Sequence, residues 1–184
     1  RQKPGGDQIG RRRLDTHLIG IATLGAECEY DQDRRAFRIE VPHLRGAYMH
    51  LEEASVTGTA NVIMSAVLAE GKTTIYNAAC EPYIQQLCRM LNRMGAKISG
   101  IASNLLTIEG VEELHPVTHR VVGDRIEAGT FIVAGALMAD DRGVDVTGFC
   151  PIHLGMVLKK MELMGIDCER VEDGVHVNRA ERIK

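Results

Sequence analysis

Three short marks, Leu24-Gly25-Ala26, Met94-Gly95-Ala96 and Met164-Gly165-Ile166, put glycines at positions 25, 95 and 165, a spacing of 70 residues. The middle copy, residues 81–95, explains what each mark does. Pro82 suits the first turn of a helix, where a missing N–H is not needed. Ile84, Leu87, Cys88, Leu91 and Met94 then recur at helical spacing as one apolar stripe. Gly95 supplies the left-handed residue that ends the helix, and residues 96–99 leave as an alternating strand. A second mark repeats nearly in step: Gly58-Thr59 and Gly129-Thr130, 71 residues apart, are each expected to open an apolar helix. This period is too long for a solenoid repeat. It predicts a small layered αβ unit that cannot bury its own apolar face alone.

The two kinds of helix should sit at different depths. Residues 60–70 and 131–139 are apolar nearly all round, which predicts buried helices. The helices that stop at Gly25, Gly95 and Gly165 are amphipathic and belong nearer the surface; the first carries Leu14, Leu18, Ile21 and Leu24 on one face. Hairpins are expected between residues 26–30 and 36–40, and between 97–100 and 105–109. A third joins 167–171 to 175–178 across the turn Glu172-Asp173-Gly174. With a strand at 48–51, the unit reads helix, hairpin, strand, buried helix, strand. The strands alternate, as sheets with one wet face do, so helices lie inside and sheets outside. The third copy stops at Lys184 before its Gly-Thr helix, so the chain is read as roughly two and a half copies, an excerpt of a longer protein.

Charge and composition remove several classes of function. The net charge is −3, with both signs mixed along the chain, which argues against a general nucleic-acid binder. Aromatic residues make up 4% and Trp is absent, so base-stacking platforms are not expected. No apolar run reaches the roughly 18 residues of a membrane span, and the N-terminal stretch has no apolar segment of the signal-peptide kind. Cys28, Cys80, Cys88, Cys150 and Cys168 contain no C-x-x-C pair and read as buried or half-buried free thiols of a reducing cytoplasm.

Three stretches could carry chemistry. Residues 5–10, Gly-Gly-Asp-Gln-Ile-Gly, run into Arg11-Arg12-Arg13. Glycines let backbone approach a ligand, arginines offer forked donors to phosphate or carboxylate, and Asp7 could serve as acid or base; the alternative is a solvated loop. Ser55-Val56-Thr57-Gly58-Thr59 at a helix start could present N–H groups to an anion, or Ser55 could simply cap the helix. Without the P-loop lysine it does not suggest a nucleoside triphosphate site. Asp124-Arg125-Ile126-Glu127 holds the corresponding place in the next unit, where Glu127 suits the helix dipole. The histidines are scattered, with Pro116 between His115 and His119, so no metal site is expected and no cofactor is called for.

Together, loop and repeats resemble a known family. Pro4-Gly5-Gly6-Asp7-Gln8-Ile9-Gly10-Arg11-Arg12 is similar to the P-G-G-C-x-I-G-x-R-P loop of the UDP-N-acetylglucosamine enolpyruvyl transferases (1-carboxyvinyltransferases). The resemblance continues through residues 66–71, 77–79, 81–82, 94–100, 108–111 and 124–131. It implies an α/β fold of α+β type, built from repeated βαβαββ units with buried helices and outer sheets (the inside-out α/β barrel of the enolpyruvyl transferases), here incomplete. Residues 1–123 would hold two units of the first domain and residues 124–184 a partial unit of the second.

The implied activity moves enolpyruvyl from phosphoenolpyruvate to the 3-hydroxyl of UDP-N-acetylglucosamine in the cytoplasm, at the first committed step of peptidoglycan synthesis. The implied partners are these two small molecules and the rest of the enzyme chain, with no nucleic acid and no membrane. By position, Asp7 stands where the family has its proton-donating Cys, and Arg12 matches the loop arginine that meets phosphate and substrate. Arg12, Arg13, Leu14, Asp15 and Thr16 match the uridine-holding stretch, and Glu53, Ala54, Ser55 and Val56 match a second UDP-sugar segment. Glu81 and Arg125 match polar groups near the active site. Arg13 departs from the family's Pro, Glu53 from a common Lys, and Thr57-Gly58 from Gly-Ala. The resemblance also predicts resistance to fosfomycin, which alkylates the loop cysteine, and no turnover by the 184-residue chain alone. A 5-enolpyruvylshikimate-3-phosphate synthase-like enzyme and a non-catalytic UDP-sugar-binding module are the alternatives.

Overall fold

The computed structural model describes residues 14–180, so Asp7, Arg12 and Arg13 lie outside the described residues. The chain divides into two compact units, Arg1–His119 and Arg120–Lys184.

In the first unit, α1 (Asp15–Thr23) leads into a two-stranded hairpin, β1 (Glu27–Asp31) and β2 (Ala36–Glu40), in register from Glu27 opposite Glu40 to Asp31 opposite Ala36. Then come β3 (Tyr48–His50), α2 (Val56–Ala66), β4 (Lys72–Tyr76), α3 (Pro82–Arg93), β5 (Lys97–Ser99) and β6 (Leu105–Glu109). The run from β3 to β6 is one βαβαββ unit. Its sheet has the order β3-β4-β6-β5, with β3 parallel to β4 and the other pairs antiparallel. The second unit holds α4 (Arg125–Met138), β7 (Val144–Thr147), a 3₁₀ turn (Pro151–Leu154), α5 (Gly155–Leu163), β8 (Cys168–Val171) and β9 (Gly174–Val177), with sheet order β7-β9-β8. Chain order and strand order from α4 to β9 repeat those from α2 to β6. Among the described residues no helix is long and apolar enough to cross a membrane.

The period of 70 residues is a repeated helix stop. Gly25, Gly95 and Gly165 all have left-handed φ, at 102°, 104° and 84°. In each copy the glycine N–H donates to the carbonyl three residues back (Ala22, Asn92, Glu162). The next N–H reaches five back, Ala26 to Ile21, Ala96 to Leu91 and Ile166 to Met161. This double closure satisfies carbonyls that the helix end leaves without partners, and it needs a residue free of the left-handed Cβ clash.

Helices do face inward. Val62, Ile63 and Ala66 from α2 and Val67 at its C-cap pack with Ile84, Cys88 and Leu91 of α3 against Ile75, Ile98, Leu106 and Ile108 of the sheet. The outer sheet face shows Lys72, Tyr76, Lys97, Ser99 and Glu109 to solvent. Burial pushes the Cys88 thiol up to about 11, which leaves it inert at neutral pH. Cys80, by contrast with the expectation for the thiols, is exposed.

Other expectations are corrected. Helix α4 is apolar all round, yet it buries only Ala128, Ile132, Gly135 and Ala136, while Ile126, Phe131, Leu137 and Met138 stay exposed. The single sheet β7-β9-β8 in its unit covers one face only. On α2, Met64 is also exposed. Gly129-Thr130 does not open α4, because Asp124 caps the helix earlier, accepting from the N–H of Ile126 at 2.7 Å and of Glu127 at 3.4 Å. Of the predicted leucine face, Leu24 just past the end of α1 is fully buried while Leu14, Leu18 and Ile21 are half-buried, and the buried residues within the helix are Thr16 and Gly20. Gly174 is a strand residue opposite Val171 and not part of the turn. A Cβ there would lie 2.0 Å from the Val146 carbonyl oxygen, so its glycine answers to the close approach of β7.

Candidate functional site

Two helix starts that are far apart in sequence meet in the first unit. Helix α1 begins at Asp15 because residues 15–23 are helix-compatible up to the stop at Gly25, and it lies along α2. Their contact is close because both surfaces are small where they touch. A Cβ on Gly20 would lie 2.3 Å from Val62 Cγ2, and one on Gly58 would lie 2.8 Å from Thr16 Cγ2. This brings Leu14, Asp15 and Thr16 beside Glu53, Ala54, Ser55 and Val56, the two segments singled out from the sequence.

The Thr16 hydroxyl donates to Glu53 Oε1 at 3.2 Å. Ser55 is the N-cap of α2, its Oγ accepting from the Gly58 N–H at 3.1 Å. Capping uses an acceptor lone pair and leaves the hydroxyl its own proton to donate. Asp15, Thr16, Glu52 and Glu53 line a cavity of about 160 Å³. Beside it a second of about 230 Å³ runs along Thr16, Ile19, Gly20 and Thr23 to Tyr48, His50 and Glu52. Three carboxylates around the smaller cavity give it acidic walls. Among the described residues no three His, Cys, Asp or Glu side chains gather as a metal site would require.

Glu81 is the N-cap residue of α3 and makes no side-chain capping bond; its Oε2 is buried without a hydrogen-bond partner among the described residues. The loop before it is tied to α2, because the Ala79 N–H donates to the fully buried Thr59 Oγ1 at 3.0 Å. Arg125 is half-buried in the first turn of α4, in the second unit.

Two residues were not visible as site residues in the sequence, His17 and Asn61, and Thr57 was noted only as part of the helix start at residues 55–59. His17 Nε2 is 3.2 Å from Thr57 Oγ1, and His17 Nδ1 is 2.7 Å from Asn61 Nδ2. Thr57 and Asn61 stand four apart on α2, a spacing that puts them on one face. That spacing is the sequence signal that links Asn61 to Thr57, and it acquires meaning only once α1 is known to lie alongside.

Repeated units with inward helices and outward sheets define a class. The chain matches the enolpyruvyl transferase NikO from Streptomyces tendae with a TM-score of 0.81 at 20% identity, over 93% of this chain and 43% of that one. It matches an EPSP synthase from Acinetobacter baumannii with a TM-score of 0.63 at 21% identity, over 91% and 38%. At such identity the likeness is one of fold: an α/β enolpyruvyl transferase fold, incomplete in this chain.

Residues 3–184 match the family model of EPSP synthase (3-phosphoshikimate 1-carboxyvinyltransferase), and the chain belongs to that family. Among its relatives, the UDP-N-acetylglucosamine 1-carboxyvinyltransferase of Bacteroides thetaiotaomicron is 57% identical over 179 residues, 97% of this chain and 41% of the relative. The protein of that name from Porphyromonas gingivalis is 52% identical over 182 residues, 97% and 41%. That of Mycobacterium leprae is 46% identical over 181 residues, 98% and 42%. The chain thus spans about two fifths of the length of these relatives.

Proposed function

We propose that the protein carrying this sequence is a UDP-N-acetylglucosamine 1-carboxyvinyltransferase of the cytoplasm, acting at the first committed step of peptidoglycan synthesis. A bond forms between the sugar 3-oxygen and the enol carbon of phosphoenolpyruvate. The bond from that carbon to the phosphate oxygen breaks, and the hydroxyl proton leaves with inorganic phosphate. The observation that carries this reading is the meeting of Asp15 and Thr16 with Glu53 at the smaller cavity, joined by the Thr16–Glu53 hydrogen bond, where the segments 14–16 and 53–56 come together. These are the two stretches that resemble the UDP-sugar segments of the family, and relatives at 57% identity carry the name of that activity.

In this reading Asp7 is the proton donor, Arg12 and Arg13 meet phosphate and uridine, and Leu14 to Thr16 with Glu53 to Val56 hold the nucleotide sugar. Glu81 and Arg125 supply polar groups at the reacting end. The first unit belongs to one domain of the enzyme and the second unit begins the other. A carboxylate serves as acid near neutral pH only if burial lifts it well above its ordinary value of about 3.9, and nearby arginines oppose that shift until substrate phosphate offsets them.

The test is phosphate release from the complete protein, dependent on both substrates and lost in Asp7→Asn. Full activity of Asp7→Asn removes Asp7 from the proton-donor role, and release with shikimate 3-phosphate in place of the nucleotide sugar overturns the substrate assignment. Binding of UDP-N-acetylglucosamine without any turnover makes the protein a binding module. Because a carboxylate is a weak nucleophile beside a thiolate, the natural protein should resist fosfomycin. Asp7→Cys should keep turnover and acquire a covalent adduct visible by mass spectrometry.

A further inference from the structure

Residues 14–16 open α1 and residues 53–56 lead into α2, so their mutual placement depends on what fixes α1 against α2. Two of the close approaches in that contact are between apolar surfaces, Gly20 with Val62 and Gly58 with the Thr16 methyl. Contacts of that kind set distance but tolerate sliding, because dispersion is not directional. Direction comes from His17. An amide nitrogen only donates, so Asn61 Nδ2 donates to His17 Nδ1 at 2.7 Å, and the ring proton then sits on Nε2 and is given to Thr57 Oγ1 at 3.2 Å. Both ring nitrogens are thereby engaged across a sequence separation of 40 and 44 residues. The ring is locked in one tautomer and one orientation at the end of α1 next to Thr16. Thr57 is one of the departures from the family pattern, which has Gly there.

We propose that His17, held by Thr57 and Asn61, is a positioning residue that sets the angle between the two nucleotide-sugar segments and so controls affinity for the nucleotide sugar. The inference rests on the function proposed above. His17 acts through Thr16 on one side and through the first turn of α2, behind Ser55 and Val56, on the other. Its effect should therefore fall on the KM of the nucleotide sugar, while kcat and the KM of phosphoenolpyruvate stay near the starting values.

The experiment uses the complete protein with His17→Phe, Thr57→Val and Thr57→Ser. His17→Phe keeps a ring and removes both nitrogens; it should raise the UDP-N-acetylglucosamine KM about ten-fold, the effect of losing roughly one well-placed hydrogen-bonded anchor. Thr57→Val should raise it several-fold and Thr57→Ser should restore it. Long-range ¹H–¹⁵N spectra of histidine-labelled protein should show His17 with its proton on Nε2, a readout that does not depend on catalysis. Unchanged KM in all variants, an equal loss in kcat and both KM values, or a proton on Nδ1 overturns the role of His17 and leaves the proposed function standing. Absence of UDP-N-acetylglucosamine binding by the unvaried protein in calorimetry overturns both.

Discussion

Single side chains in this protein show where local chemistry and global placement part ways. In the proposed function Glu53 stands where the resemblance has a Lys that a diphosphate would favour, and the Thr16 hydroxyl donates to its carboxylate beside Asp15 and Glu52. Replacing Glu53 with Lys should lower the nucleotide-sugar KM several-fold, since removing a negative charge and adding a positive one changes a short-range interaction with phosphate by an appreciable amount even when solvated. An unchanged or raised KM would show that the diphosphate does not lie near this residue. Thr73 is fully buried in β4, and its hydroxyl has no hydrogen-bond partner among the described residues. Thr73→Val keeps the shape and removes an unpaired polar atom, so it should stabilise the protein by about 1 kcal/mol. A lower urea midpoint for Thr73→Val would count against that reading.

His176 sits directly across from Asp145 on the paired strands β9 and β7, and its Nδ1 lies 2.7 Å from Asp145 Oδ1. The hydrogen bond that His176 donates to Asp145 above all, with added help from the Asp145 charge, raises the His176 pKa above the ordinary 6.5, although burial works the other way. A group with a raised folded pKa contributes stability below its unfolded pKa and loses it as pH climbs through the folded value. Asp145→Asn should therefore lower Tm more near pH 6 than near pH 8.5, values that bracket the titration of a raised histidine. A Tm difference that grows with pH would contradict the assignment.

Among the elements, α3 shows the closest agreement between pattern and structure. Its stripe buries Ile84, Cys88 and Leu91, Pro82 opens it and Gly95 closes it. Asn92 adds a link that no pattern announced: its side chain donates to the Ile98 carbonyl and accepts from the Ile98 N–H, both at 2.8 Å, tying the helix to β5. Since Gly95 stands at a φ of 104°, Gly95→Ala should destabilise by about 1–2 kcal/mol in urea unfolding, and Gly95→Asn by less, because Asn tolerates the left-handed region. Equal effects of the two would mean that lost packing, and not backbone strain, is responsible. Helix α1 shows the reverse case. Its leucines drew attention, but a helix packs closest where side chains are smallest, and the pair Thr16 and Gly20, four apart, faces α2.

Taking each unit by itself, the first has a core closed by α2, α3 and the sheet β3-β4-β6-β5. The second buries one side of α4 against the 3₁₀ turn, α5 and β9 and leaves Ile126, Phe131, Val133, Leu137 and Met138 exposed. Local opening follows the amount of apolar surface that holds an element. In the 184-residue chain the amides of α4 should thus exchange hydrogen faster than those of α2, as followed by mass spectrometry on peptides covering each helix. Slower exchange in α4 would contradict the reading of its outer face as uncovered.

Sequence alone determined the repeat, the three glycine stops, the positions of the hairpins and the inward placement of the apolar helix α2. Each of these follows from backbone geometry within a few residues or from hydrophobic period, both of which are written locally. The resemblance of residues 4–12 and of the later motifs also came from the chain itself. Tertiary structure decided which face of α1 is buried, that α4 is covered on one side, and that Gly174 serves strand approach and not a turn. It alone joined Thr16 to Glu53 and His17 to Thr57 and Asn61. Those pairs lie about 40 residues apart, and nothing in a local pattern selects one distant partner over another until packing has set helix against helix.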